Sequence, residues 1–284
     1  MALTPTRTLA GLLVKGLQQE LDLTPKPGLV DCWDNGSHDD LNHQLMTRSI
    51  ALLARYFAEC VTALEAGQPI EQLRLLGIAA EQEMLAQLKT NTHRGAIFLG
   101  GLLLGVVHAA ASLDGATVST TVARCARRLF ATGSPVGTNG STVRGRFRAG
   151  GIVREALSGL PAVFEIGVSA LYEGERQGFS QRDGLLLTMA RLMQTVEDTT
   201  ALHRCGPVGL IQLQRDGAIL ETLLLNGNDP LMFLMTANRR YRQQRLTMGG
   251  VADLLAISVA WWSFESQVKF RLLLDSGAGI SDAR

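Results

Sequence analysis

Four stretches of the chain concentrate residue types that can hold a phosphate, bind a metal or move a proton. The first runs Thr24-Pro25-Lys26-Pro27-Gly28-Leu29-Val30-Asp31 and continues through Asn35-Gly36-Ser37-His38-Asp39-Asp40-Leu41. Its prolines and glycines fix an extended loop, and Lys26 offers a point charge to a phosphate. Asp39 and Asp40 fall where a helix is expected to begin, so they serve equally well as caps. His38, Asp40 and His43 are donor types found in metal sites, yet their spacing matches no ligand template.

The second stretch, Thr90-Asn91-Thr92-His93-Arg94-Gly95-Ala96-Ile97-Phe98, changes abruptly from polar to apolar. A polar cluster opening a core helix presents backbone N–H groups, a favourable dipole and Arg94 to an anion. The bland alternative is a capped helix, with Asn91 or Thr92 bonded to the backbone and His93 in water. Upstream, Glu81 and Glu83 are two positions apart on a helix and face different ways, so at most one serves a given site.

Gly150-Gly151-Ile152-Val153-Arg154-Glu155-Ala156 and Met248-Gly249-Gly250-Val251-Ala252-Asp253-Leu254 each join a glycine pair to a helix start and place a carboxylate about one turn inside. Asp253, followed by Leu254, Leu255 and Ala256, is costly to bury without a partner or a cation. Asp198, among Glu197, Thr199 and Thr200 at the end of another apolar run, poses the same choice between chemistry and capping. The common catalytic signatures are missing. No lysine follows a glycine as a Walker loop requires, and H-E-x-x-H and G-x-S-x-G do not occur.

The elements that must position these residues read as helices. Apolar residues recur at helical spacing through Leu9, Leu12, Leu13 and Leu17, through Leu45, Ile50, Leu53, Phe57 and Val61, and through Leu185, Met189, Leu192 and Met193. Further helical runs cover roughly 69–88, 93–112, 117–131, 162–177, 215–225, 228–244 and 250–272, with no sustained β alternation. The fold class is therefore all-α, as one domain over 1–284. Three irregular stretches interrupt it: Thr24–Asp40, Thr132–Gly151 and His203–Gly209. The middle one is the candidate lid, and its Arg144, Arg146 and Arg148 are expected in solvent. Trp261, Trp262 and Phe264 are expected in the core.

With 46% hydrophobic residues, the chain can bury a large core without staples. A net charge of +1 provides no global field for nucleic acid or an anionic membrane, so any anion site must be local. The apolar run from Ala96 to Ala111 falls short of the roughly 20 residues a membrane span needs. Cys32, Cys60, Cys125 and Cys205 form no C-x-x-C pair, and the chain opens without a signal-peptide pattern, so a cytoplasmic location is expected.

Taken in order, TPKPGLVD, NGSHDDL, AEQEML, NTHRGAIF, GGIVREALSGLP, DTTALHRCG and GGVADLLA resemble the triphosphoribosyl-dephospho-CoA synthase family, from about residue 20 to residue 256. That resemblance implies an enzyme that joins ATP to 3′-dephospho-CoA with release of adenine. Its product would pass to a prosthetic-group transferase acting on a malonate decarboxylase or citrate lyase acyl carrier protein, the former branch being preferred. On the matching blocks, Asp40, Asp198 and Asp253 are the acidic set, with His38 and His93 as acid, base or orienting groups. Lys26, Asn91, Arg94, Gly95, Arg154, Glu155, Gly249 and Gly250 are the nucleotide-binding set. Mg²⁺ would hold the triphosphate, with Asp40, Glu81 and Asp198 as candidate ligands. The chain departs from the family pattern at Thr200, at Cys205 and at Thr247-Met248. A Mg²⁺-dependent nucleotide or phosphoester hydrolase and a non-catalytic nucleotide-binding module are the alternative readings.

Overall fold

The computed structural model describes residues 4–90, 92–131, 143, 145–147 and 149–275, with side chains to Lys269. Among these residues every regular element is helical. In chain order they are α1 (Pro5–Asp22), α2 (His43–Glu65), α3 (Ile70–Leu88), α4 (Arg94–Ala109), α5 (Gly115–Ala131) and α6 (Gly151–Leu157). A π-helical turn (Ala162–Gly167) then leads into α7 (Val168–Arg176), α8 (Gln181–Thr195), α9 (Thr199–Leu225), α10 (Leu231–Gln244) and α11 (Gly249–Asp275).

The leucine stripe of α1 (Leu9, Leu13, Leu17, Leu21) is buried against α2 and α11. The contact with α11 depends on small residues, because a Cβ on Gly16 would lie 2.3 Å from the carbonyl oxygen of Ala256. Helix α4 carries no polar face between Ala96 and Val107, and it sits in the middle of the molecule. Phe57 and Tyr56 of α2 and Ile70 of α3 fill the space over Gly100, Gly101 and Gly105. One contiguous apolar cluster runs from Leu9 to Phe264, with Trp261 and Phe264 buried in it and Trp262 packed against it.

Two local expectations change. His203–Gly209 is a bend within α9 rather than a loop. Gly206 takes φ 64° and ψ −163°, and Pro207, which lacks an N–H, follows it. Asp39 and Asp40 do not cap α2, which begins at His43 with Asn42 accepting the Leu45 N–H at 2.9 Å. Most of Thr132–Gly151, the candidate lid, lies outside the described residues, as do Arg144 and Arg148. Arg146 stacks over Phe147.

The 23–42 loop is irregular yet fully tied down. Asp31 accepts the Lys26 N–H on one carboxylate oxygen (2.8 Å) and the Trp33 and Asp34 N–H groups on the other (2.7 and 3.1 Å). Asn238 of α10 accepts the Gly28 N–H and donates to Asp34, while Ser37 donates to the Leu246 carbonyl at 2.6 Å. These bonds supply the backbone partners that a helix would otherwise provide, so the loop can form a rigid wall.

Candidate active site

A cavity of about 1190 Å³ opens where the 23–42 loop, α3, α4, α6 and the N-termini of α9 and α11 converge. His38, Asp40, Glu81, His93, Arg94, Gly95, Arg154, Glu155, Asp198, Gly249, Gly250 and Asp253 all line it. Chain segments more than two hundred residues apart thus present their polar residues to one space. Ile70, Leu73, Phe98, Leu102 and Phe130 also line it and give it apolar wall.

Two of the acids sit at helix N-termini. Asp198 is fully buried and caps α9, with Oδ1 accepting the Thr200 and Ala201 N–H groups at 2.8 and 2.9 Å. Its Oδ2 accepts the Val251 N–H at 2.9 Å and also faces the Gly250 N–H, so one carboxylate caps α9 and α11 together. Asp253, one turn into α11, reaches across to the start of α4, where its carboxylate lies against Gly95 and faces the Gly95 and Ala96 N–H groups. This explains why α4 has no cap of its own: its N-cap, His93, makes no capping bond, and a carboxylate from another helix takes that place. It also explains Gly95, where a Cβ would stand 2.1 Å from Asp253 Oδ2. The α4 N-terminus, expected as an anion seat, therefore already holds an acidic side chain of the chain itself.

Burial shapes the protonation of this cluster. Desolvation, then the charges of Glu20 and Asp198, push Asp253 well above the usual carboxylate range. Desolvation also raises Asp198, against the pull of its four backbone donors. His93 is pushed down to about 4, first by burial and then by the charge of Lys26. Its Nδ1 lies 2.7 Å from Ser49 Oγ, while Nε2 is buried without a hydrogen-bond partner among the described residues. His38 is likewise held down at about 4, by burial and then by Arg204. Arg204 donates toward His38 Nδ1 (3.3 Å), which leaves Nε2–H to donate to Thr247 Oγ1 at 3.1 Å. Both rings are therefore neutral at pH 7.

The remaining candidates divide by placement. Asp40 is 68% exposed at the cavity mouth, 4.0 Å from His38 Nδ1. Glu81 pairs with Arg94 at 3.2 Å, while Glu83 points away to Arg55. Arg154 bonds Glu197, which also accepts the Gly150 N–H. Glu155 accepts the Ala162 N–H, and burial raises its carboxyl. Lys26 does not reach the cavity. It is fully buried and ion-paired with Glu20 at 2.5 Å, so its charge is spent inside the protein rather than on a phosphate. Asn91 lies outside the described residues.

Sequence reasoning passed over Glu20, His203 and Arg204 as site residues. Glu20 sits in the last turn of α1 on a face that otherwise reads as core, and it lines the cavity beside Asp253. Its one sequence signal is a carboxylate within an apolar stripe, the same signal that singled out Asp253.

A family model described as ATP:dephospho-CoA triphosphoribosyl transferase matches residues 6–271. Relatives from Pseudomonas putida and Pseudomonas fluorescens are each 36% identical to the chain. The first alignment covers 87% of the chain and 91% of the relative, and the second covers 91% of each. One from Stutzerimonas stutzeri is 34% identical over 88% of the chain and 89% of its own length. All three carry the name "probable 2-(5''-triphosphoribosyl)-3'-dephosphocoenzyme-A synthase". No solved structure matches.

Proposed function

The chain belongs to the ATP:dephospho-CoA triphosphoribosyl transferase family, and from that premise we propose that its cavity binds ATP and 3′-dephospho-CoA together and joins them. The observation that carries this reading is the convergence of the family-like blocks on one space of about 1190 Å³. That volume exceeds the 300–1,000 Å³ typical of a single small-molecule site. The apolar wall suits the pantetheine chain, and the polar residues suit the two ribose rings and the phosphates.

The reaction is a glycosyl transfer. The ribose 2′-hydroxyl of dephospho-CoA attacks the anomeric carbon of ATP, the bond to adenine breaks, and the phosphoanhydrides stay intact. The hydroxyl proton must leave, adenine must gain one, and positive charge develops on the sugar in between. Neutral His93, with Nε2 unpartnered among the described residues, is the candidate acceptor of the hydroxyl proton. Asp253, whose carboxyl is pushed well up by desolvation and by the charges of Glu20 and Asp198, is the candidate donor to adenine. Asp40 is the candidate carboxylate facing the sugar cation, with His38 held beside it by Arg204 and Thr247. Arg94 and Arg154, at the cavity wall, are the candidate phosphate contacts, each shared with a glutamate.

Magnesium would neutralise and hold the triphosphate. A hard cation needs carboxylate oxygens with coordination capacity to spare. Asp40 fits that need, whereas Glu81 is already paired with Arg94 and would have to share its oxygens. Asp198 fits poorly, because three backbone N–H groups already bond its two oxygens. Asp198 is better read as the support that fixes the start of α11, and through it Asp253.

Within the family reaction, we place the chain in the branch serving the malonate decarboxylase acyl carrier protein, on its departures at Thr200, Cys205 and Thr247-Met248. We also place it in the cytoplasm, as one catalytic domain. No described helix is long and apolar enough to cross a membrane. Incubating the purified chain with ATP, Mg²⁺ and dephospho-CoA should release free adenine and yield one adduct with the summed mass of both substrates less adenine. ADP or phosphate without an adduct would replace this reading with hydrolysis. Tight ATP binding without turnover would leave only a nucleotide-binding module.

A further inference from the structure

Away from the cavity, three elements bring a carboxylate, a thiol and an imidazole to one point. Asp22 ends α1, Cys32 lies midway along the 23–42 loop, and His43 begins α2. Cys32 Sγ is 3.6 Å from His43 Nε2, Nε2 is 3.4 Å from Asp22 Oδ1, and the three donor atoms all lie within 4.8 Å of one another. We propose that these residues bind a zinc-class divalent cation, which clamps the loop to the two helices it connects.

The Cys32–His43 separation also suits a thiol–imidazole hydrogen bond, so the discriminating distance is the imidazole–carboxylate one. A charge-assisted imidazole–carboxylate bond brings N and O to about 2.7–2.9 Å. The separation here is longer, and the same Nε2 faces both neighbours. For a tetrahedral ion with bonds of about 2.3 Å to sulfur and 2.0–2.1 Å to nitrogen and oxygen, the S···N edge is about 3.6 Å and the N···O edge about 3.4 Å. Both measured separations equal those edges.

The surroundings support the ligands as a metal site requires. Gln18 donates to Asp22 Oδ1 at 2.8 Å. Thr24 Oγ1 accepts the Cys32 N–H at 3.2 Å and donates to the Asp22 carbonyl at 3.0 Å, tying two ligand positions together. The Asp22 and His43 side chains are 51% and 38% exposed, so an ion can enter and a water can complete the tetrahedron. A thiolate, an imidazole and one carboxylate form a borderline-soft set that favours zinc over magnesium, so this site is separate from any metal carried by ATP. On binding, the Cys32 thiol gives up its proton to solvent and sulfur becomes the ligand. The clamped loop is the one that carries His38 and Asp40 into the cavity wall, so the metal's role is structural: it fixes that wall.

The test is titration of the chelator-stripped, full-length protein with Co²⁺ and then Zn²⁺. Wild type should take up one tight equivalent of cobalt, show thiolate-to-cobalt charge-transfer absorption, and lose it as zinc displaces cobalt. Cys32→Ser should abolish that band, and His43→Gln and Asp22→Asn should weaken binding by roughly tenfold or more. Zinc should raise the melting temperature of wild type and leave that of Cys32→Ser unchanged. The three side chains are at the surface, so circular dichroism should show the variants folded. No charge-transfer band in wild type, or an equal band in Cys32→Ser arising from another cysteine, would overturn the proposal. The outcome is independent of the reaction proposed for the cavity.

Discussion

Replacing Gly95 by alanine tests how the central acid is held. The new Cβ would stand 2.1 Å from Asp253 Oδ2 and 2.8 Å from Ile152 Cδ1, whereas real Cβ contacts essentially never fall below 3.0 Å. The end of the isoleucine side chain can rotate away. The carboxyl cannot do so without drawing away from the Gly95 and Ala96 N–H groups that it faces, and it must move by about 1 Å. Each weakened contact at a buried helix start costs on the order of 1–2 kcal/mol, while alanine's better helix propensity returns up to about 1. We therefore expect a net loss of about 1–3 kcal/mol, read as a melting temperature lowered by several degrees. A misplacement of that size at a proton donor costs roughly 10²-fold in turnover, read as adenine release from ATP in the presence of dephospho-CoA. The control is the same substitution in an Asp253→Ala background. There the clash is gone, and the stability penalty of Gly95→Ala should vanish. Turnover within twofold of wild type, or a penalty that persists without Asp253, would refute the reasoning.

Other outcomes follow from the same geometry. Asp198→Ala removes a cap shared by α9 and α11 and should cost about 2–4 kcal/mol in denaturant unfolding; Asn, which keeps one acceptor oxygen, should cost less. Asp40→Asn, at an exposed position, should leave the melting temperature within about a degree while lowering adenine release by 10²-fold or more. His93, held down at about 4 against an ordinary 6.5, stays neutral in the native protein while the unfolded chain takes up a proton. Its contribution is thus full above pH 6.5 and lost as the pH falls toward 4. The raised carboxyls of Asp198, Asp253 and Glu155 act with the opposite sign, so the stability gap between wild type and His93→Gln isolates the histidine, and it should narrow by up to about 3 kcal/mol over that interval. A gap independent of pH would contradict it. Gly16→Ala forces α1 away from the Ala256 carbonyl and should cost about 1–3 kcal/mol, with adenine release per folded molecule little changed.

Much of the scaffold was legible because helical periodicity is local. The leucines of α1, the uninterrupted apolar run of α4 and the glycine pairs that open α6 and α11 announce helices and their starts from letters a few positions apart. Local spacing also announced a break near His203–Gly209, but not its form. Whether a Gly-Pro step opens a loop or bends a continuing helix depends on the core packed against both flanks.

The candidate site was legible only as residue types. The sequence by itself determined that Asp198 and Asp253 are carboxylates in apolar company, and that burying them would demand partners. Only the tertiary structure decided who those partners are: for Asp253 the start of α4, for Asp198 the starts of α9 and α11. Lys26 shows the same division, since its letter suggests a phosphate contact and its burial against Glu20 assigns it to the interior. The physical reason is range. Helix formation is read over 3.6 residues, whereas a desolvated charge is satisfied by whatever donor the folded chain brings within 3 Å, at any distance along the sequence.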